Sequence, residues 1–383
     1  MTAFKSLYAN RSSCLRQPTT RMKYKFIVLL CTVVTILFFL NGLNYFDKYN
    51  GSTIICDKSK VLETNYPNIT TRVLSLTQSR LESIKKMYFQ SWNEIITPYK
   101  TQFLIDGREI CRVSPPFLLI FVLSMPTNTK ERNSIRNTWG SVAVHSNDDF
   151  NISAKMVFML GRMRDGTKLS TSLEEESAQY KDIVQTDFFE SRYNLTIKMM
   201  HGLRWIKTYC QSAKYILKAD DDTFINVARL AWYMRTNSYI NQQNIHGFLI
   251  NAPPVLRDGK YAVSKEEFPS SHYPPYVSGT AYILPSNMIS DMIDLAQKLP
   301  YCPVDDAYLT GVLRSILDIK LQHSVHFTHM GETKFNPCEF HLKFAVTNIG
   351  TTCMEMLWNL TKQTSKIDCK QSTLYNKNIC PIF

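Results

Sequence analysis

Three short apolar runs punctuate the middle of the chain. Residues 117–123 form a continuous run, residues 156–160 form a second that is closed by Gly161, and residues 215–217 form a third. Unbroken apolar stretches of this length predict strands covered on both faces, the pattern of a parallel sheet. Between them the spacing turns helical: Leu195, Met199 and Leu203 recur at i, i+4 and i+8, with Asn194 placed to cap the helix. Farther on, Leu309, Val312, Leu313, Ile316 and Leu317 predict an amphipathic helix. Strands alternating with helices predict an α/β domain with a mostly parallel central sheet flanked by helices. The change of character at Pro115 and Pro116 sets its start, giving a body at 114–383. Residues 47–113 are polar, hold one mixed-charge helix-like stretch at 80–87, and read as a stem.

A fourth apolar run is of another kind. Residues 26–46 carry no charge, and a helix of that length spans about 31 Å, the thickness of a bilayer core. Length and the lack of a small-residue cleavage site favour a retained anchor over a buried helix or a cleaved signal peptide. Lys5, Arg11, Arg16, Arg21, Lys23 and Lys25 precede it without an acid, so residues 1–25 should stay cytosolic and the remainder should be translocated. This also disposes of the charge balance. Half of the net +12 sits in that short tail, and no interleaved basic and aromatic stripe follows it, so nucleic acid is not an expected partner.

The remaining cysteines and the sequons agree with a lumenal body. Cys56, Cys111, Cys210, Cys302, Cys338, Cys353, Cys369 and Cys380 form an even set without zinc-type spacing, suited to pairing in an oxidising compartment. Asn50, Asn68, Asn151, Asn194 and Asn359 each open an Asn-x-Ser/Thr acceptor sequence.

Candidate chemistry lies in two acid clusters. Asp220, Asp221 and Asp222 follow directly on the third apolar run, and ligands of open α/β sheets bind beyond the carboxyl ends of strands. Three adjacent carboxylates repel one another unless compensated, which suits a hard divalent cation shared with a substrate diphosphate. A solvated turn capping the next helix is the alternative. Asp305 and Asp306 open the amphipathic helix, where the helix dipole favours their ionised form. One of them there can act as a general base, and a plain N-cap is the bland alternative. Arg132 and Arg136 stand four apart on a helix-like segment and could clamp a diphosphate or meet a nucleobase edge, unless they are a solvated surface. The aromatic, Pro/Gly-rich residues 271–285 suit stacking on sugar faces or packing at a domain edge.

Taken in order, residues 132–140, 158–161, 174–187, 194–198, 218–226, 273–284 and 304–311 resemble the beta-1,3-glycosyltransferases of glycosyltransferase family 31. The resemblance implies a GT-A-type nucleotide-sugar-binding domain, a UDP-galactose or UDP-N-acetylglucosamine donor, and Mn²⁺ or Mg²⁺. It also implies a glycan acceptor on protein or lipid, and an inverting transfer that forms a beta-1,3 linkage. The expected setting is the Golgi membrane, single-pass type II, with the catalytic domain lumenal. Carried over, Asp222 is the metal ligand, Asp220 and Asp221 are donor contacts beside Arg132 and Arg136, and Asp306 is the general base with Asp305 its neighbour.

The pattern departs from the family near residues 346–348, where a metal-binding His is expected and the chain reads Val346, Thr347 and Asn348. His326 and His329 are the candidate substitutes. That departure motivates a different expectation, a catalytically lapsed Golgi-anchored glycan-binding protein of the same fold. A hydrolase with two separated carboxylates is the weaker third, because it leaves the acids after the strand unexplained.

Overall fold

The computed structural model describes residues 78–89, 101–112, 114–144, 152–164, 171–236, 243–329 and 340–362, all within the second of two compact units, Pro67–Phe383. The expected tail at 1–25, the anchor at 26–46 and the sequons at Asn50, Asn68 and Asn151 lie outside them. Among the described residues no helix is long and apolar enough to cross a membrane.

The three apolar runs are strands at the centre of the sheet. Strand β2 (Leu118–Leu123) is buried at all six positions, and it pairs in parallel with β3 (Ala154–Arg162) on one side and β5 (Tyr215–Asp220) on the other. Alternate side chains of β2 enter two separate cores. Leu119, Phe121 and Leu123 pack with helix α3 (Leu195–Tyr209) and α5 (Ile289–Ala296). Leu118, Ile120 and Val122 pack with α1 (Thr129–Asn137), α4 (Val227–Thr236) and α7 (Thr351–Lys362). A strand sandwiched in this way has no polar face, and this is why it shows as an unbroken apolar run. Close approach is enforced at Gly202 of α3, where an added Cβ would lie 2.1 Å from the Phe121 ring.

The remaining strands extend the sheet to eight in the order β1-β4-β3-β2-β5-β8-β7-β9. Strand β4 (Ile183–Phe189) continues the parallel set, whereas β8 (Tyr276–Pro285) runs antiparallel to both β5 and β7 (Asn244–Ile250). Strand β9 (Lys320–His323) closes one edge parallel to β7, and the three-residue β1 (Phe103–Ile105) closes the other antiparallel to β4. A second, two-stranded sheet joins β6 (Phe224–Ile225) to β10 (Ala345–Val346).

Several expectations need correction. The stem was set to end at 113, but Leu81 and Phe89 are buried in the main core, residues 103–105 form a sheet strand, and Cys111 is bonded to Cys210 at the end of α3. Short apolar segments interspersed with charge hide this packing, because each is covered on one side only. Cys302 does not pair: it is free and fully buried, and burial pushes its thiol up to about 12. Asn194 does not cap α3; its amide donates to the Phe189 carbonyl (2.7 Å), and Ser191 caps the preceding turn of 3-10 helix (Arg192–Asn194). The predicted amphipathic helix is buried on every side over Ala307–Leu313, where it is wound as a π-helix before continuing as Arg314–Ile316; the two stretches together form α6. Residues 271–285 are mostly strand β8, with Tyr273 and Tyr282 turned into the core.

Candidate active site

The parallel strands β4, β3, β2 and β5 all end on one edge of the sheet, and Asp220 is the last residue of β5. Because β8 is antiparallel to β5, its start at residues 276–279 reaches that same edge. There the two acid clusters meet across one glycine. The Gly279 N–H donates to Asp306 Oδ2 (2.9 Å), and the Gly279 carbonyl accepts from Lys218 Nζ, which also donates to Asp220 Oδ1 (2.6 Å). An added Cβ at Gly279 would lie 3.0 Å from Asp306 Oδ2, so the residue is small where the carboxylate comes in. The other oxygen, Asp306 Oδ1, takes the Ala307 N–H (2.8 Å) at the start of α6.

Lys218 is the residue that sequence reasoning passed over. It is the one charge within a strand buried on both faces, and such a charge must find partners. Burial alone would lower its pKa, but Asp220, Asp305 and Asp306 outweigh burial and leave it raised. One lysine does not balance the acids around it. Burial, then Asp305, lifts Asp306 to about 7; burial lifts Asp220 to about 6 against the pull of Lys218; burial and Asp221 raise Asp222. The Tyr282 phenol is raised by burial and by Asp305, Asp306 and Asp220.

Asp221 accepts from the Asn128 amide (2.9 Å), which ties it to the loop after β2. Asp222 is held from the C-terminal side. Its carbonyl accepts from Ile349 N–H (2.8 Å), and Thr223 beside it shares a hydroxyl contact with Thr347 (3.3 Å). Residues 346–348 therefore do flank the Asp222 turn, with a buried threonine and the exposed Asn348 in a left-handed conformation (φ 59°).

The other expected site residues fall elsewhere. Arg132 is fully buried, with its guanidinium engaged by Glu176 (2.6 and 2.7 Å), Thr129 Oγ1, Ser124 Oγ and the Met125 and Pro126 carbonyls. Arg136 pairs with Asp182 and Glu176, all at 2.8 Å, under the Tyr180 ring. The expected clamp is thus enclosed in the scaffold, where no diphosphate can reach a free donor. Arg132 still shapes the site at one remove, since the carbonyls it holds belong to the loop that presents Asn128.

His326 packs on Phe344 (4.9 Å), and burial together with Arg229 and Lys343 lowers its pKa. Two cations make that spot unfit for a third. His329 stacks on Phe248 and sets its Nδ1 3.2 Å from Ser278 Oγ, on a hydroxyl chain that passes through Thr280. Among the described residues no group of three or more His, Cys, Asp or Glu is gathered to hold a metal ion, so Asp222, His326 and His329 do not form the expected set.

Known proteins resemble the chain over this same region. Human lactosylceramide 1,3-N-acetyl-beta-D-glucosaminyltransferase is 34% identical over 242 residues, 62% of this chain and 64% of that protein. Human beta-1,3-galactosyltransferase 5 is 30% identical over 300 residues, 74% of this chain and 93% of that protein. Mouse beta-1,3-galactosyltransferase 1 is 29% identical over 277 residues, 72% and 82% of the two chains. The chain thus spans just under two thirds of the human lactosylceramide enzyme and most of the two galactosyltransferases. With an α/β sheet carrying two convergent acid clusters at its carboxyl edge, it is a hexosyltransferase. It belongs to the Galactosyltransferase family, whose model matches residues 130–325.

Proposed function

We propose that the chain transfers galactose or N-acetylglucosamine from a UDP-sugar to a hydroxyl of a glycan acceptor, with inversion and in beta-1,3 linkage. The work is placed in the Golgi lumen on a membrane-anchored chain. The observation that carries the reading is the Gly279 junction, which sets a base and a donor-side acid cluster on either side of one peptide unit.

Asp306 takes the proton. Each of its oxygens accepts one backbone N–H and keeps a further lone pair, and a group titrating at about 7 is ionised often enough to act and basic enough to accept. As the acceptor O–H gives its proton to the carboxylate, its oxygen bonds to the anomeric carbon and the bond from that carbon to the β-phosphate oxygen breaks. UDP departs with the electron pair. A single displacement needs one base, and Asp305 serves by raising its neighbour.

A divalent cation fits the donor side. Asp220 and Asp222 are both held above the usual carboxylate range, which marks negative charge left uncompensated by Lys218. The donors are oxygens, the choice of Mn²⁺ or Mg²⁺, and so few protein ligands suit an ion held jointly with a diphosphate. When bound, such an ion supplies Lewis-acid stabilisation of the leaving phosphate. Asp222 would hold it, Asp220 would face the donor sugar or ribose, and Asp221 with Asn128 would fix the adjoining loop.

Thr347 and Asn348 beside Asp222 supply no imidazole, and this observation favours one second reading, a glycan-binding protein that has lost turnover. Purified protein incubated with a UDP-sugar panel and Mn²⁺, with UDP release as readout, separates the two. Acceptor-dependent release over many turnovers is expected; tight glycan binding with no release for any donor would install the second reading instead.

A further inference from the structure

Two elements outside the acid clusters rise on the catalytic edge and meet there. The first is the strip that follows β4, Arg192 and Tyr193 in the short 3-10 turn. It is fastened to the segment leading to the base: the Tyr301 hydroxyl donates to the Tyr193 carbonyl, and Thr196 Oγ1 donates to the Cys302 carbonyl (2.6 Å). Asp305 follows three residues after Cys302. The second is the connection between β7 and β8, residues 251–275. Since β7 runs parallel to β5 through their shared neighbour β8, this connection leaves the sheet on the same edge as Asp220.

A structureless connection of that length in a compact domain is usually functional, and this one is built to hold a shape. Val255, Val263 and Phe268 are buried in the main core. The Arg257 guanidinium donates to the carbonyls of Val263, Ser264 and Ser270 at 2.6–2.9 Å, closing the loop whose tip carries Lys260 and Tyr261. The tip lies against the first strip, with Arg192 over the Tyr261 ring at 4.7 Å.

The surface so made is aromatic and cationic. Tyr193 and Tyr261 remain 57% and 54% exposed, so each ring offers area to a ligand. Among the described residues neither Arg192 nor Lys260 has a carboxylate at ion-pair distance, and the nearest acid in sequence, Glu190, is already neutralised by Lys198 (2.7 Å). Exposed tyrosines suit the faces of sugar rings, and unspent cations suit an anionic substituent.

Building on the transferase reading above, we propose that Arg192, Tyr193, Lys260 and Tyr261 form an acceptor subsite for an anionic glycan. The sugar beyond the reacting one stacks on the tyrosines, and a carboxylate or sulfate on it pairs with Arg192 and Lys260.

The test uses the full chain and three acceptors that share the reacting sugar: a neutral disaccharide, its sulfated form, and a form whose second sugar is a hexuronic acid. Wild type is expected to favour one or both anionic acceptors in kcat/KM by about tenfold or more, the scale of a hydrogen bond to a charged group. The two anionic arms tell which substituent is read. The double variant Arg192→Gln with Lys260→Gln should bring the anionic-to-neutral ratio to about one, and Arg192→Lys should restore part of it. Tyr261→Ala should raise KM for every acceptor, whereas Tyr261→Phe, which keeps the ring, should not. An unchanged ratio in the double variant, or a wild type indifferent to charge, overturns the proposal. Saturation-transfer NMR of the same three glycans keeps it testable apart from catalysis. With no turnover on any acceptor, an anionic preference in binding that the double variant abolishes would uphold the subsite while the transferase reading fails.

Discussion

Two buried charge networks sit on the same sheet and differ in one respect. Arg132 and Arg136 face Glu176 and Asp182, two cations against two anions, each ion held by short bonds. Lys218 faces Asp220, Asp305 and Asp306, one cation against an excess of acid. The consequences run in opposite directions. Burial would raise Glu176, but the two arginines outweigh it and hold it below its usual value, whereas burial prevails over Lys218 and lifts Asp306 to about 7 and Asp220 to about 6. A balanced network fixes its own charge state and serves the scaffold. An unbalanced one stores a demand for positive charge, which a proton or a cation can meet, and so is ready for chemistry.

The largest expected effect breaks the balanced network. Arg132→Met removes a fully buried guanidinium and leaves Glu176 partly unpaired, and truncating one partner of such a pair costs about 3–5 kcal/mol. Denaturant unfolding should show that loss, and Arg132→Lys should recover little of it, because an ammonium cannot make the forked contact with Glu176.

Next comes the unbalanced network. Asp306→Asn keeps the acceptors for the Gly279 and Ala307 N–H groups and removes the proton acceptor, so kcat should fall on the order of a hundredfold. Stability should move the other way. Asp306 titrates at about 7 when folded and near 4 when unfolded. Between those values the native state therefore binds more protons, and stability falls as pH rises. Relieved of a charge that folding disfavours, Asp306→Asn should gain on the order of 1 kcal/mol at pH 8, measured by the same unfolding experiment that reports the loss in Arg132→Met. A variant that lost both activity and stability would place Asp306 with the balanced group.

The contrast between the networks also explains what could be read from the chain. Strand β2 was legible because burial on both faces leaves nothing polar in it. Strand β1 was not, being three half-buried residues on an edge. The acid clusters were legible as candidates because three carboxylates after an apolar strand have no ordinary structural use. Arg132 and Arg136 were misassigned because an arginine pair on a helix looks the same whether it greets a ligand or a buried acid. Their partners Glu176 and Asp182 lie 44 and 46 positions away and join them only through folding. Lys218 carried the opposite lesson: a lone charge inside a covered strand was already a sign of neighbouring acids.

A subtler effect is the pH profile of the intact protein. A base that must be ionised makes kcat/KM rise with pH, and burial with Asp305 sets the midpoint of that rise near 7. Rates for a neutral acceptor between pH 5.5 and about 8.5 should follow a single ionisation. A flat profile across that range would remove Asp306 from the proton transfer and with it the functional meaning of the acid excess.

The smallest expected effect is the sharpest probe of the junction. Gly279 has no backbone need to be glycine, since its φ is not in the left-handed region, so Gly279→Ala tests space alone. The added Cβ would stand 3.0 Å from Asp306 Oδ2 and 3.3 Å from its Cβ and Cγ. The carboxylate must then give way by a few tenths of an ångström, while the Gly279 N–H and carbonyl keep their partners. A shift of that size should lower kcat by roughly threefold to tenfold, less than a full ångström of misplacement would. KM for the UDP-sugar should hold, because the donor-side contact of Lys218 with Asp220 is untouched. If donor KM rose while kcat held, Gly279 would belong to the donor side of the junction, and the separation of base from leaving group would have to be redrawn.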